Sequence, residues 1–92
     1  MTGLELSSQE RQRQVSVEWF TQEHDDKATD GQLALAARCY AAASCHSSPM
    51  PLSWPWLPRW WKPEDKIRNL VKAGALIAAE IDRLQRQKGG QQ

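Results

Sequence analysis

All five prolines of this 92-residue chain fall in one window, at positions 49, 51, 55, 58 and 63. Each proline fixes its own φ, lacks a backbone donor and pushes the residue before it toward extended geometry. Regular helix is therefore excluded from the window, and a stiff loop over 45–62 is predicted. Both flanks are free of proline and carry helical patterns. The predicted fold is mainly α: a small single domain over 1–92, with a short N-terminal helix plus a helical hairpin covered by the Pro/Trp-rich loop, and frayed ends at 1–6 and 88–92. A chain this short lies near the lower limit at which one core holds a fold without staples, so every large apolar residue counts.

The clearest helical pattern is "KPEDKIRNLVKAGALIAAEIDRLQRQK", which predicts a helix over 63–87. Pro63 suits the first turn, Glu64 and Asp65 complement the positive end of the helix dipole, and Arg83, Arg86 and Lys88 complement the negative end. Ile67, Leu70, Gly74, Ile77, Ile81 and Leu84 alternate steps of three and four, which marks them as the buried stripe, with Val71 and Ala78 widening it. Gly74 at its centre implies close approach of another backbone. At 1.5 Å per residue such a helix is about 37 Å long, long enough for its last turns to pair with a second copy of the chain as a homodimer.

The second pattern, "TDGQLALAARCYAAAS", opens on Thr29 and Gln32 at capping-box spacing and places Leu33, Ala36, Ala37, Tyr40, Ala41 and Ser44 on one stripe. Its small residues suit tight packing against the Gly74 region, giving a hairpin of residues 30–44 and 63–87. Ser7 and Glu10 have the same capping-box spacing and predict a short helix from about residue 8 to Val15. After it, "VSVEWF" reads as the helix end or a short extended stretch.

The loop segment "PLSWPWLPRWWKPEDK" holds four tryptophans. The alanine-rich helix supplies little apolar volume, and each buried aromatic removes on the order of 150–250 Å² from water, so at least two of Trp54, Trp56, Trp60 and Trp61 are expected in the core. The rest, beside Arg59 and Lys62, form a flat platform and a cation suited to stacking on a base and holding a phosphate.

Lys and Arg number 12 against 11 Asp and Glu, for a net charge of +1. The chain has no global field to hold a phosphate backbone, so general nucleic-acid binding is disfavoured. No apolar run is long enough to span a bilayer and no secretory pattern opens the chain, which predicts a cytoplasmic protein that does not engage membranes. Cys39 and Cys45 read as reduced packing thiols. "EHDD", Glu23 to Asp26, combines a histidine with carboxylates but lacks the further ligands of a metal hydrolase. Cys39, Cys45, His46 and His24 lack paired zinc spacing, and no phosphate loop or nucleophile motif is present. The expectation is a non-enzyme without cofactor or metal.

The blocks "ERQRQVSVE", "EHDD", "DGQLALAARCYA", "WPW", "WWKP" and "LVKAGALIAAEIDRL", in this order, resemble a family of short uncharacterised proteins of tailed phages and prophages. The resemblance runs from Glu10 to Arg83, and the chain departs from the family pattern at Trp19–Phe20 and Thr21–Gln22. That family is in turn distantly similar to the repeat domain of ryanodine receptors, a small helical module. The resemblance implies a phage-encoded module acting in the host cytoplasm on a nucleotide-derived ligand, to counter host defence signalling. The residues supply a site to match: Trp60 or Trp54 to stack on the base, Lys62 and Arg59 to neutralise phosphate and Asp25 or Asp26 to accept from ribose hydroxyls, with Trp61 and His24 as further ligand-binding residues. The alternative is a protein-interaction inhibitor that binds a host defence or replication protein through exposed tryptophan and arginine.

Overall fold

The structure, a computed structural model, describes residues 1–17 and 25–89. Three helices account for most of them: α1 (Gly3–Val17), α2 (Gln32–Ala42) and α3 (Lys66–Gly89), with a single 3-10 turn at Pro58–Trp60 and no strand among the described residues. The mainly helical single fold read from the sequence is the one formed. None of these helices is long and apolar enough to cross a membrane.

Helix α1 starts five residues earlier than the sequence pattern places it. Its capping box is Thr2 with Glu5: the Glu5 amide donates to Thr2 Oγ1 at 3.2 Å and the Thr2 amide to Glu5 Oε1 at 3.0 Å. Ser7 and Glu10, expected to cap, lie inside the helix and make long-range contacts instead. The part of "VSVEWF" beyond Val17 lies outside the described residues. Helix α2 begins at Gln32 after Gly31, whose φ of 79° is the left-handed conformation that glycine adopts without strain. Gln32 Oε1 accepts from the Asp30 amide at 2.8 Å, so the expected Thr29 box does not form. Helix α3 is capped by Asp65, whose Oδ1 accepts from the Arg68 amide at 2.9 Å.

Helices α2 and α3 pack as the predicted hairpin, but α3 buries a different face. Ile67, Leu70, Ile77, Ile81 and Leu84 are all about half exposed or more. The buried stripe is Asn69, Lys72, Leu76, Ala79 and Arg83, flanked by Val71, Ala73 and Ala75. Both stripes follow steps of three and four, offset by two residues or about 200°. The reason for the choice is steric. Leu33, Ala36, Ala37, Cys39 and Tyr40 of α2 meet Ala73, Leu76 and Ala79 of α3, and facing alanines let the helices approach closely where isoleucines would hold them apart.

Three polar side chains on that face find partners at its edges. Asn69, fully buried, accepts the Glu64 amide at 2.6 Å and donates to the carbonyls of Ala43 (3.2 Å) and Glu64 (2.8 Å). Lys72 donates to the Lys62 carbonyl at 2.6 Å and pairs with Glu64 at 2.7 Å. Arg83 pairs with Glu80 at 2.5 Å. Gly74 does have a close neighbour, but on α1 rather than α2: Ser7, whose hydroxyl donates to the Val71 carbonyl at 3.3 Å.

Candidate ligand-binding site

The Pro/Trp loop closes over the hairpin around Tyr40. Its hydroxyl donates to the Trp60 carbonyl at 3.4 Å and accepts from the Lys62 amide at 3.1 Å, so one side chain of α2 fixes the backbone on both sides of Trp61. The Trp61 ring stacks on Tyr40 with centroids 4.9 Å apart, and its N–H donates to the Ser48 carbonyl at 3.1 Å. Trp54 stands edge-on to Tyr40, Trp56 and Trp61 at 5.0–5.5 Å and donates to the Leu57 carbonyl at 3.1 Å. Such edge-to-face and stacked pairs add to area burial, and each bonded indole N–H avoids an unsatisfied donor.

Trp54 is therefore buried core, while Trp56, Trp60 and Trp61 are half-buried and packed against it. Trp60 differs from the others in its neighbours. The Arg59 guanidinium lies 5.5 Å and the Lys62 ammonium 5.3 Å from its ring centroid, within cation–π range. Alternation in "WW" sends Trp61 onto Tyr40 and Trp60 toward charge.

Beside Trp60 runs an open groove of about 380 Å³ lined by Arg13, Lys62, Pro63, Glu64, Arg68 and Lys72. Four basic side chains thus converge from α1, the loop and α3. Arg13 and Lys72 also border a small hollow of about 10 Å³, room for one water, lined by Trp54, Trp56 and Trp60. Gln14, on the wall of this hollow, is 2% exposed, and its Oε1 has no hydrogen-bond partner among the described residues. Its amide nitrogen donates to Glu10 Oε2 at 3.4 Å, which fixes the orientation of the amide.

Glu10 is the electrostatic anchor of the groove. Its buried carboxylate takes two bonds from Arg13, at 2.9 and 2.7 Å, and one from Arg68 at 2.6 Å. Burial pushes this carboxyl up, but the Arg13 hydrogen bonds and the charges of Arg13, Arg68 and Lys72 outweigh it and hold Glu10 below the usual carboxylate range.

Of the residues singled out from sequence, the structure brings together Trp54, Arg59, Trp60, Trp61 and Lys62. Asp25 is fully buried and ion-paired with Arg11, and Asp26 pairs with Arg86 at 2.7 Å beside a separate hollow lined by Thr29, Arg83 and Gln87. His24 lies outside the described residues. Sequence reasoning missed Glu10, Gln14, Arg68 and Lys72 as members of the site. A polar residue on a helix reads as solvated, and the signal that they converge lies in no single segment.

Cys39 is a packing thiol, with its sulfur 3.7 Å from Ser53 Oγ, but Cys45 is exposed at the start of the loop. No three His, Cys, Asp or Glu side chains gather where a metal ion would sit among the described residues. No family model matches the chain, nor does any curated protein or solved structure, so the chemistry of this groove rests on its own residues.

Proposed function

We propose that the chain is a non-enzymatic binding module that captures a small nucleotide-type ligand at the Trp60 groove. The observation that carries this reading is Lys62, which lies against the Trp60 ring beside Arg59 and also lines the groove with Arg13, Arg68 and Lys72. A partly exposed flat ring with two cations against it suits a heteroaromatic base, and guanidinium and ammonium groups beside it suit phosphate oxygens. Trp54 and Trp61 act as the scaffold that holds the loop. In the phage setting that the sequence resemblance implies, such a module sequesters a host signalling nucleotide.

Titration with cyclic dinucleotides and with ADP-ribose, followed by tryptophan fluorescence and thermal melting, tests this. Quenching and a raised Tm are expected, both lost in Trp60→Ala and in Lys62→Ala. No response to any nucleotide in the unmodified protein overturns the reading. A second reading has its own support: Leu52 is fully exposed and Leu57 is 56% exposed on the same loop, beside Arg59, an apolar-plus-arginine surface of the kind that anchors protein partners. Leu52→Asp/Leu57→Asp abolishes partner binding under that reading and leaves nucleotide binding intact under the first.

A further inference from the structure

We propose that the outward face of α3 is the interface of a homodimer in which two copies of the chain pack antiparallel. Ile67, Leu70, Gly74, Ile77, Ile81 and Leu84 keep steps of 3, 4, 3, 4 and 3 without a break, the spacing of a coiled-coil seam. The five large residues among them are between 48% and 68% exposed, although the opposite side of the same helix supplies the core. Among the described residues these five side chains stand outside the hydrophobic core, and only Gly74 between them is covered, by Ser7 of α1. The extent of the row, about 26 Å along the helix axis, gives apolar exposure on the order of the few hundred Å² at which surface patches become interaction sites.

The occupant that fits is a second copy. Turned antiparallel about the middle of the row, Ile67 meets Leu84 of the other copy and Leu70 meets Ile81, so the outer positions of the seam find apolar partners, while Gly74 at the centre stays covered by Ser7 of its own chain. Charge favours the same direction. Helix α3 is preceded by Glu64 and Asp65 and ends on Arg86 and Lys88, so antiparallel packing sets the acidic end against the basic end and opposes the helix dipoles. Parallel packing sets like against like at both ends. An interface built on one helix per copy falls at the small end of specific interfaces, so dimerisation is concentration-dependent.

Sedimentation velocity on the full chain from micromolar to millimolar concentration, with reductant present, reads the outcome. The mass is expected to rise to that of two chains, and Ile77→Glu/Ile81→Glu is expected to remain monomeric throughout with unchanged helical circular dichroism. An unmodified chain that stays monomeric across the range, or a folded double variant that still dimerises, overturns the proposal. Orientation is read by disulfide trapping in a Cys45→Ser background. Chains carrying Ile67→Cys mixed with chains carrying Leu84→Cys are expected to cross-link, and each alone is not. Cross-linking of Ile67→Cys chains with one another overturns the antiparallel arrangement.

Discussion

Ser7 of α1 occupies the space that a β-carbon on Gly74 of α3 would need: an ideal Cβ built there lies 2.5 Å from Ser7 Oγ and 3.3 Å from Ser7 Cβ. The glycine is what lets the two helices touch backbone to side chain, with the Ser7 hydroxyl reaching the Val71 carbonyl one turn away. Two effects oppose each other in Gly74→Ala. Helix propensity favours alanine by about 1 kcal/mol. Against it, Ser7 must leave its rotamer and its hydrogen bond, worth about 1 kcal/mol, and α1 must retreat by a few tenths of an ångström, an overpacking cost of about 1 kcal/mol more.

Gly74→Ala is therefore expected to destabilise the fold by about 1 kcal/mol, a fall in Tm of roughly 4–8 °C for a domain of this size. In a Ser7→Gly background the clash has no second atom. There Gly74→Ala should turn stabilising, and the change of sign in a double-mutant cycle is the measurement that assigns the effect to this contact. Simple additivity of the two substitutions would mean that the helices do not meet at this point.

The tryptophans separate into scaffold and site by the same kind of argument. Trp54 is 7% exposed, touches three aromatic rings and has its N–H bonded, so Trp54→Ala is expected to cost about 3–5 kcal/mol in urea unfolding. Trp60 is only partly buried, with its ring against two cations. Trp60→Ala is expected to cost about 1–2 kcal/mol while removing nucleotide-induced quenching altogether. Equal destabilisation by the two variants would remove the distinction between them.

Much of this architecture is legible in the sequence because local rules act locally. Five clustered prolines mark the loop, alanine spacing marks the buried face of α2, and Asp65 with the acidic lead-in marks the start of α3. The failures share one cause. Two stripes of equal period run along α3, and a reading by hydropathy takes Ile67 through Leu84 as the inward one because the other contains Asn69, Lys72 and Arg83. What decides between them is shape and partners elsewhere in the chain: the alanine face of α2 and the carbonyls of Ala43, Lys62 and Glu64. The groove is hidden for the same reason, since Arg13 and Arg68 are 55 positions apart and meet only through Glu10.

Glu10 makes that junction measurable. Removing its charge leaves Arg13 and Arg68 facing a buried amide, but both arginines keep about a third of their surface in water, so Glu10→Gln is expected to cost about 2 kcal/mol rather than the larger loss of a fully enclosed pair. Its folded pKa is depressed, so the ionic contribution is complete above the ordinary carboxylate value of 4.5 and disappears as pH falls through the lower folded value. The stability gap between the unmodified protein and Glu10→Gln should thus be constant near neutrality and close on acidification. A gap that persists unchanged at pH 2 would show that packing, not charge, is what the carboxylate supplies.

The two cysteines give a final and independent check on the loop. Cys45 is exposed, and hydrogen bonds from the Ser47 hydroxyl and amide, then from Ser48, stabilise its thiolate and bring the thiol pKa down to about 7. The ordinary thiol value is about 8.5, so at neutral pH roughly half of Cys45 is ionised where an ordinary thiol would be almost wholly protonated. Iodoacetamide labelling should follow a pH profile with its midpoint near 7, and Ser47→Ala should move that midpoint upward without altering stability. Cys39, 3% exposed in the core, should label only as the protein unfolds and so reports folding in the same experiment. A Cys45 midpoint that is already ordinary in the unmodified protein would mean that the serine turn does not hold its shape in solution, and with it would go the path by which the loop leaves α2.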